Sequence, residues 1–398
     1  MGRVKKGWNQ FLRYAGCAEG ERAYTGPRRA ELYLTNRCNL DCLACWSFSP
    51  LLEGRHLPPQ VDLHWEKAAQ LLDELAQEGC EEIQFVGGGE PMIYPSMMEA
   101  LERTKSLGMR CFVTTNLTPV TPKRAERMVQ LGVDRIYASL WAATPKTYAA
   151  THPKSGEEVF VKIDETLRRL DELKGGRRLA PPQVIIRNVI FKQNHHEVRT
   201  MVDYAADVGA AAVDFTLAYT FPGSTDVLLL TDSMREKVRR QLDSIPEEVR
   251  RMEGHHGPGT FLYEMDNFSR RLGALSEGEG ELDRSVLERV PCQIGWFHVI
   301  IQADGVVIPC CKGQSKPLGN IYEKPFRDIW YSSRYDEFRR KAKSLPKSDP
   351  YFASIDCYKM CDNVGMLKTI EERMQRLRPI EGATRGLVAP LLRRGKRA

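Results

Sequence analysis

The chain has 398 residues, of which 42% are hydrophobic and 28% charged, enough for one large α/β domain and a smaller one. No apolar run reaches the length of a membrane span, and the opening MGRVKKGWNQ has no signal-peptide core. The reading is a cytoplasmic protein with no membrane span. The net charge is +6, but Arg3, Lys5, Lys6, Arg393, Arg394, Lys396 and Arg397 crowd the two ends. The body is therefore close to neutral, which argues against a nucleic-acid partner, because such binders carry their basic excess on a folded face. Eleven cysteines are an odd number for a disulfide framework. In a reducing compartment, clustered cysteines are metal or redox ligands.

Residues 1–29 form an N-terminal extension. From 30 to 224, apolar runs alternate with segments of helical spacing. The runs are Ala30–Thr35, Ile83–Gly87, Met109–Thr115, Arg135–Trp141, Val184–Phe191 and Val213–Tyr219. Between them, Ala68, Leu71, Leu72 and Leu75 share one helix face, as do Leu167 and Leu170 with Leu173 close by. Six β-then-α units predict an α/β fold with a parallel sheet and right-handed crossovers. Functional residues then belong at the C-terminal ends of the strands. Residues 225–290 are rich in charge, with loops at Gly254–Gly259 and Ser276–Gly280, and read as a helical connector. Residues 291–366 form a small C-terminal domain, and 367–398 a basic tail. In that domain Phe297–Gln302 and Val306–Pro309 flank the hairpin signal Ala303-Asp304-Gly305, and a helix is predicted over Phe326–Leu345.

Cys38-x3-Cys42-x2-Cys45 follows the first predicted strand. Three thiolates on one short loop hold three corners of an iron–sulfur cubane and leave the fourth iron open. A structural zinc site wants four protein ligands; His56 or His64 could supply the fourth, so zinc stays open on spacing alone. Gly87-Gly88-Gly89-Glu90-Pro91 ends the second strand. Its glycines permit close backbone approach, and Glu90 can accept hydrogen bonds from an ammonium group. The alternative is a tight turn with a solvated carboxylate.

Together these residues resemble the radical S-adenosylmethionine superfamily. Cys38, Cys42 and Cys45 match its three-cysteine motif, and Gly88, Gly89, Glu90 and Pro91 its methionine-binding motif. The resemblance spans about residues 30–220 and implies a partial (β/α)6 TIM-like barrel, a catalytic [4Fe-4S] cluster and S-adenosyl-L-methionine as cofactor. An aromatic residue often precedes the third cysteine in the family; here that position is Ala44, followed by Trp46. The resemblance places Thr115, Asn116 and Ser139 near the cofactor's ribose and carboxylate, with polar strand ends as the competing reading for Thr115 and Asn116. Arg187 interrupts an apolar run, where an unpaired charge is costly. It is a candidate for the cofactor carboxylate or for substrate, against pairing with a core acid.

Further on, Cys292, Cys310, Cys357 and Cys361 form a second set, with Gly305 at the hairpin turn between the first two. Four thiolates suit zinc or a fully ligated [4Fe-4S] cluster. Cys292, Gly305 and Cys310, with Leu318-Gly319-Asn320-Ile321 and Asp328-Ile329-Trp330, resemble the auxiliary-cluster region called SPASM, in particular its shortened form, twitch. One auxiliary cluster is implied. Cys311 is left out, since adjacent cysteines rarely ligate one small cluster. Cys17, Cys80 and Cys111 are read as small buried hydrophobes, and His195, His196, His255 and His256 as surface-loop residues.

The resemblance implies reductive cleavage of S-adenosylmethionine to a 5′-deoxyadenosyl radical, hydrogen abstraction from substrate, and oxidation by electron transfer to the auxiliary cluster. The expected electron donor is a flavodoxin or ferredoxin. Two enzyme readings stand: an alcohol, sugar or aminocyclitol dehydrogenase acting on a small molecule, and a peptide or protein maturase. About thirty residues before the barrel are few for a leader-peptide domain, which favours the first. A non-enzymatic zinc protein is the third reading.

Overall fold

The computed structural model describes residues 3–52, 60–254, 256–274, 281–345 and 350–376. His56, His255, the predicted loop at 276–280 and the tail from 377 lie outside them. The core strands are β1 (Arg29–Tyr33), β2 (Glu82–Val86), β3 (Arg110–Thr115), β4 (Arg135–Ser139), β5 (Gln183–Ile190) and β6 (Ala212–Leu217). Each falls on one of the six predicted runs, and all pair in parallel in chain order. Helices connect them: Trp65–Gln77 buries Ala68, Leu71, Leu72 and Leu75, and Glu157–Leu173 buries Leu167 and Leu170. The pleat sorts the side chains. Ala30 and Leu32 of β1 join the apolar layer under the helices, whereas Arg29, Glu31 and Tyr33 line a central cavity.

The sheet continues through the segments that composition distinguished. β7 (Leu262–Tyr263) extends it beyond β6, and β8 (His298–Ile301) pairs in parallel with β1. β9 (Val306–Ile308) and β10 (Gly319–Asn320) complete one ten-stranded sheet, open between β7 and β10. This is a partial TIM-like barrel with a C-terminal domain built onto its first strand. The predicted hairpin is β8–β9, with Gly305 at φ +83°.

Two local expectations change. The helix predicted over Phe326–Leu345 is two helices, Phe326–Trp330 and Ser333–Lys343. Ser332 ends the first and caps the second by accepting from the Tyr335 amide at 3.3 Å. The N-terminal extension holds a helix, Arg3–Glu19, anchored by Arg13. That guanidinium is 1% exposed and donates to the carbonyls of Gly26, Pro27 and Gly79 and to Glu81. The C-terminal domain grips the extension in turn: Trp296 Nε1 donates to Arg22 O and Trp330 Nε1 to Thr25 O.

Candidate active site

The loop carrying Cys38, Cys42 and Cys45 is held from every side before any cofactor is considered. Asp62 accepts from Thr35 Oγ1 and twice from the Arg37 guanidinium, squaring the entry to the loop. The Glu90 amide donates to Arg37 O at 2.8 Å. On the far side Leu43 N donates to Thr151 O, and Lys154 N to the Asp41 carboxylate. A Cβ on Gly89 would stand 1.8 Å from Arg37 O, and one on Gly88 2.4 Å from Asn36 Oδ1. The close approach these glycines permit is therefore to the cysteine loop itself.

Glu90 is 3% exposed, and burial pushes its carboxyl up to about 6 against hydrogen bonds that favour the charge. One carboxylate oxygen accepts from Met92 N and Thr115 Oγ1, the other from Asn116 N. Asn116 Nδ2 then donates to Asn39 Oδ1, beside Cys38. Glu90, Thr115 and Asn116 are thus one network joining the ends of β2 and β3 to the cysteine loop. Pro91 begins the 3-10 turn that Glu90 caps. Ser139 is half-buried at the end of β4, in register with Arg187 on β5. Arg187 pairs with Asp214 at 2.9 Å and lies 4.6 Å from the centre of the Tyr137 ring. That is the core-acid partner of the competing reading, within the cavity wall.

The three thiols suit a cluster chemically. The amides of Ser47 and Phe48 point at Cys45 Sγ at 3.4 and 3.3 Å. Burial pushes Cys38 up to about 11, even though the Leu40 and Asn39 amides lower it. Anionic sulfur is costly there until a cationic iron centre balances it. His64 faces the Tyr322 ring, 5.9 Å away.

The second set gathers from three separate segments, with Cys357 and Cys361 on the same one. Burial raises Cys310 to about 12, with Cys292 and Cys357 adding repulsion. Cys361 is raised by burial and then by Cys292, Cys357 and Cys310. Asp283, fully buried, accepts from Arg270, from Arg271 and from the Cys361 amide at 2.6 Å. Cys311 stands apart and directs its thiol to Asp362 Oδ2 at 3.1 Å. Four thiolates suit a fully ligated [4Fe-4S] cluster, in which each would bind its own iron.

Cys45 and the sequence neighbours of Cys310 and Cys361 border one cavity of about 1440 Å³. Ala44, Cys45 and Trp46 line it on one side, and Cys311, Met360 and Asp362, each adjacent to a proposed second-set cysteine, on the other. Lys312 lies 3.3 Å from the Tyr219 ring centre and 5.9 Å from that of Trp46. Trp141 also lines the cavity, at φ +61°, a strained value for a bulky residue. Asn194 clamps it, donating to Trp141 O at 2.9 Å. Sequence reasoning missed the polar wall: Arg29, Glu31, Glu82, Gln84, Arg110, Arg135, Asp214 and His298. The signal was available, since these residues alternate with apolar ones along otherwise hydrophobic strands. His195, expected on the surface, is buried and engages Lys192 O through Nδ1. Cys17, Cys80 and Cys111 are buried as expected.

A partial α/β barrel with one cysteine loop at its strand ends and a second set across a shared cavity defines a class of cluster-bearing barrel enzymes. Residues 32–205 match the radical SAM superfamily, and residues 292–359 match the SPASM iron–sulfur cluster-binding domain. The chain belongs to the radical SAM superfamily; it is an enzyme whose cofactors are S-adenosylmethionine and [4Fe-4S] clusters, catalytic and auxiliary. It is 26% identical over 313 residues to an AdoMet-dependent heme synthase of Methanosarcina barkeri, covering 76% of this chain and 82% of that protein. It is 25% identical over 321 residues to a PqqA peptide cyclase of Streptomyces rochei, covering 78% of each. Streptococcus suis SuiB bound to its precursor peptide SuiA shares the fold, with a TM-score of 0.61 at 17% identity, covering 91% of this chain and 77% of that one. No helix among the described residues is long and apolar enough to cross a membrane.

Proposed function

We propose that the chain oxidises a substrate held in the barrel cavity between two clusters, one on Cys38, Cys42 and Cys45 and one on Cys292, Cys310, Cys357 and Cys361. The observation that carries this reading is the single cavity bordered by Cys45 on one side and by the neighbours of Cys310 and Cys361 on the other. When bound, the cofactor pair at the first site supplies the hydrogen-abstracting radical. The chain's own part is positioning and exclusion of water. The Glu90–Thr115–Asn116 network fixes the cysteine loop, and Ser139 is proposed for the cofactor's polar part. Cys292, Cys310, Cys357 and Cys361 would ligate all four irons of a second cluster, leaving none for substrate, and such a cluster would supply the electron acceptor. A flavodoxin or ferredoxin serves as donor to the first.

The substrate readings are a small alcohol, sugar or aminocyclitol, and a peptide. The peptide reading gains from the PqqA peptide cyclase among the relatives. The test is hydrogen transfer. Anaerobically reconstituted protein is given deuterated cell extract divided into small-molecule and peptide fractions. Deuterium should enter 5′-deoxyadenosine from one fraction. Intact cofactor cleavage with no deuterium from either fraction would contradict the proposal.

A further inference from the structure

The cavity continues past the strand tips to the other end of the barrel. There it reaches Arg29, Glu82, Arg110 and Arg135, the first residues of β1, β2, β3 and β4. Arg29, Glu82 and Arg110 are neighbours in register. The Glu82 carboxylate, 2% exposed, accepts from Arg29 at 2.8 Å, from Arg28 at 3.0 Å and from Arg110. Arg135 has no carboxylate partner among the described residues. It meets Gln183 Oε1 at 3.3 Å and lies 5.2 Å from the Phe112 ring centre. Arg29 and Arg110 stand 5.4 and 5.6 Å from the same ring. Three guanidiniums therefore share the Glu82 carboxylate at this end of the cavity, and the fourth, Arg135, stands beside them over the same ring.

Of the other acids in the wall, Glu81 pairs with Arg13 and Asp214 with Arg187, while Glu31 lies between His298 and Arg29, and Glu264 accepts from the neutral Asn267 amide, which does not offset its charge. Like charges in a half-buried space repel strongly, and a surplus focused in a cleft draws anions. A purely structural Arg–Glu plug would need fewer arginines, and Arg135 would be idle in it. Guanidinium forks match carboxylate and phosphate oxygens in geometry.

Resting on the oxidation proposed above, we infer that this arginine floor binds an oxyanion at one end of the substrate, a carboxylate or a phosphate, while the carbon to be oxidised lies at the Cys45 end. From Arg29 to Tyr33 the strand rises about 13 Å at ~3.3 Å per residue. The substrate is therefore elongated, with its anionic group at least that far from the reacting carbon.

The experiment uses the reconstituted holoenzyme with S-adenosylmethionine and two probes, pyrophosphate and citrate, in calorimetric titrations at low and high salt. Wild type should bind at least one probe, more weakly at high salt. Arg135→Gln should lose about ten- to a hundred-fold in affinity, and Arg135→Lys should recover part of it. Arg334→Gln, exposed and outside the cavity, should match wild type. Pyrophosphate alone assigns a phosphate, citrate alone a carboxylate, and both a general oxyanion site. Melting temperature should be unchanged in Arg135→Gln, and cofactor cleavage without substrate should be unchanged in Arg334→Gln. Binding of neither probe, or equal binding by a folded Arg135→Gln, overturns the inference. Deuterium transfer is read separately, so failure of the oxidation reading leaves a different signature.

Discussion

The two cysteine sets are built in opposite ways. Cys38, Cys42 and Cys45 lie within eight residues, on a loop clamped by Asp62, Glu90, Asn116 and Thr151. Cys292, Cys310, Cys357 and Cys361 come from three segments spread over the last third of the chain, and the loop of Cys361 is tied to a buried ion-pair hub at Asp283. The first loop is shaped by the barrel and should persist without iron. The second set has less local support, so its assembly should be coupled to its cluster, as metal binding is coupled to folding in small metal domains.

The sharpest break in this comparison is removal of the first set. Replacing Cys38, Cys42 and Cys45 by Ala should abolish 5′-deoxyadenosine formation under dithionite, while melting stays near wild type and about half the iron remains. Undiminished cleavage would sink the assignment. Next in size is Asp283→Asn. Burial pushes the Asp283 carboxyl up, but Arg271, the Cys361 amide and Arg270 outweigh it and hold it low. Neutralising it leaves a buried guanidinium uncompensated, at a cost of about 3–5 kcal/mol. The expected result is loss of the second cluster's iron with cofactor cleavage retained. An unchanged iron content would show that the hub does not support the set.

Glu90→Ala comes third. It deletes three accepted hydrogen bonds, and S-adenosylmethionine should bind about ten- to a hundred-fold more weakly without loss of iron. A wild-type dissociation constant would reduce Glu90 to a turn residue. The smallest effect concerns His152, buried behind the first loop and stacked on Tyr148 at 4.1 Å. Burial pushes it down to about 4 from 6.5, so the unfolded chain takes the proton first. Stability should fall as pH drops below 6.5, by about 1.4 kcal/mol per unit. His152→Gln should flatten that slope in urea titrations at pH 6.5 and 5.5; parallel slopes would show that another group titrates.

Local patterns made much of this legible. The six barrel strands, the buried faces of the helices at 65–77 and 157–173, and the β8–β9 hairpin all follow from periodicity and turn chemistry. The first cysteine loop was legible for the same reason, being contiguous in sequence. What escaped is what distance in sequence hides. Nothing local announces that β8 pairs with β1, that Asp283 meets the Cys361 amide, or that the first residues of β1, β3 and β4 converge on the Phe112 ring. The engagement of the Glu90 oxygens by Met92, Thr115 and Asn116 is likewise hidden, since Thr115 and Asn116 are brought within reach only by the folded barrel.

The central claim is two clusters of unlike construction, and iron content tests it most directly. Iron and acid-labile sulfide should be counted on anaerobically reconstituted wild type, on the Cys38/Cys42/Cys45 triple Ala variant and on the Cys357/Cys361 double Ala variant. With four irons per cluster, wild type should hold about eight iron atoms per chain and each folded variant about four. About four in wild type, or zinc retained by the triple variant, would contradict the account.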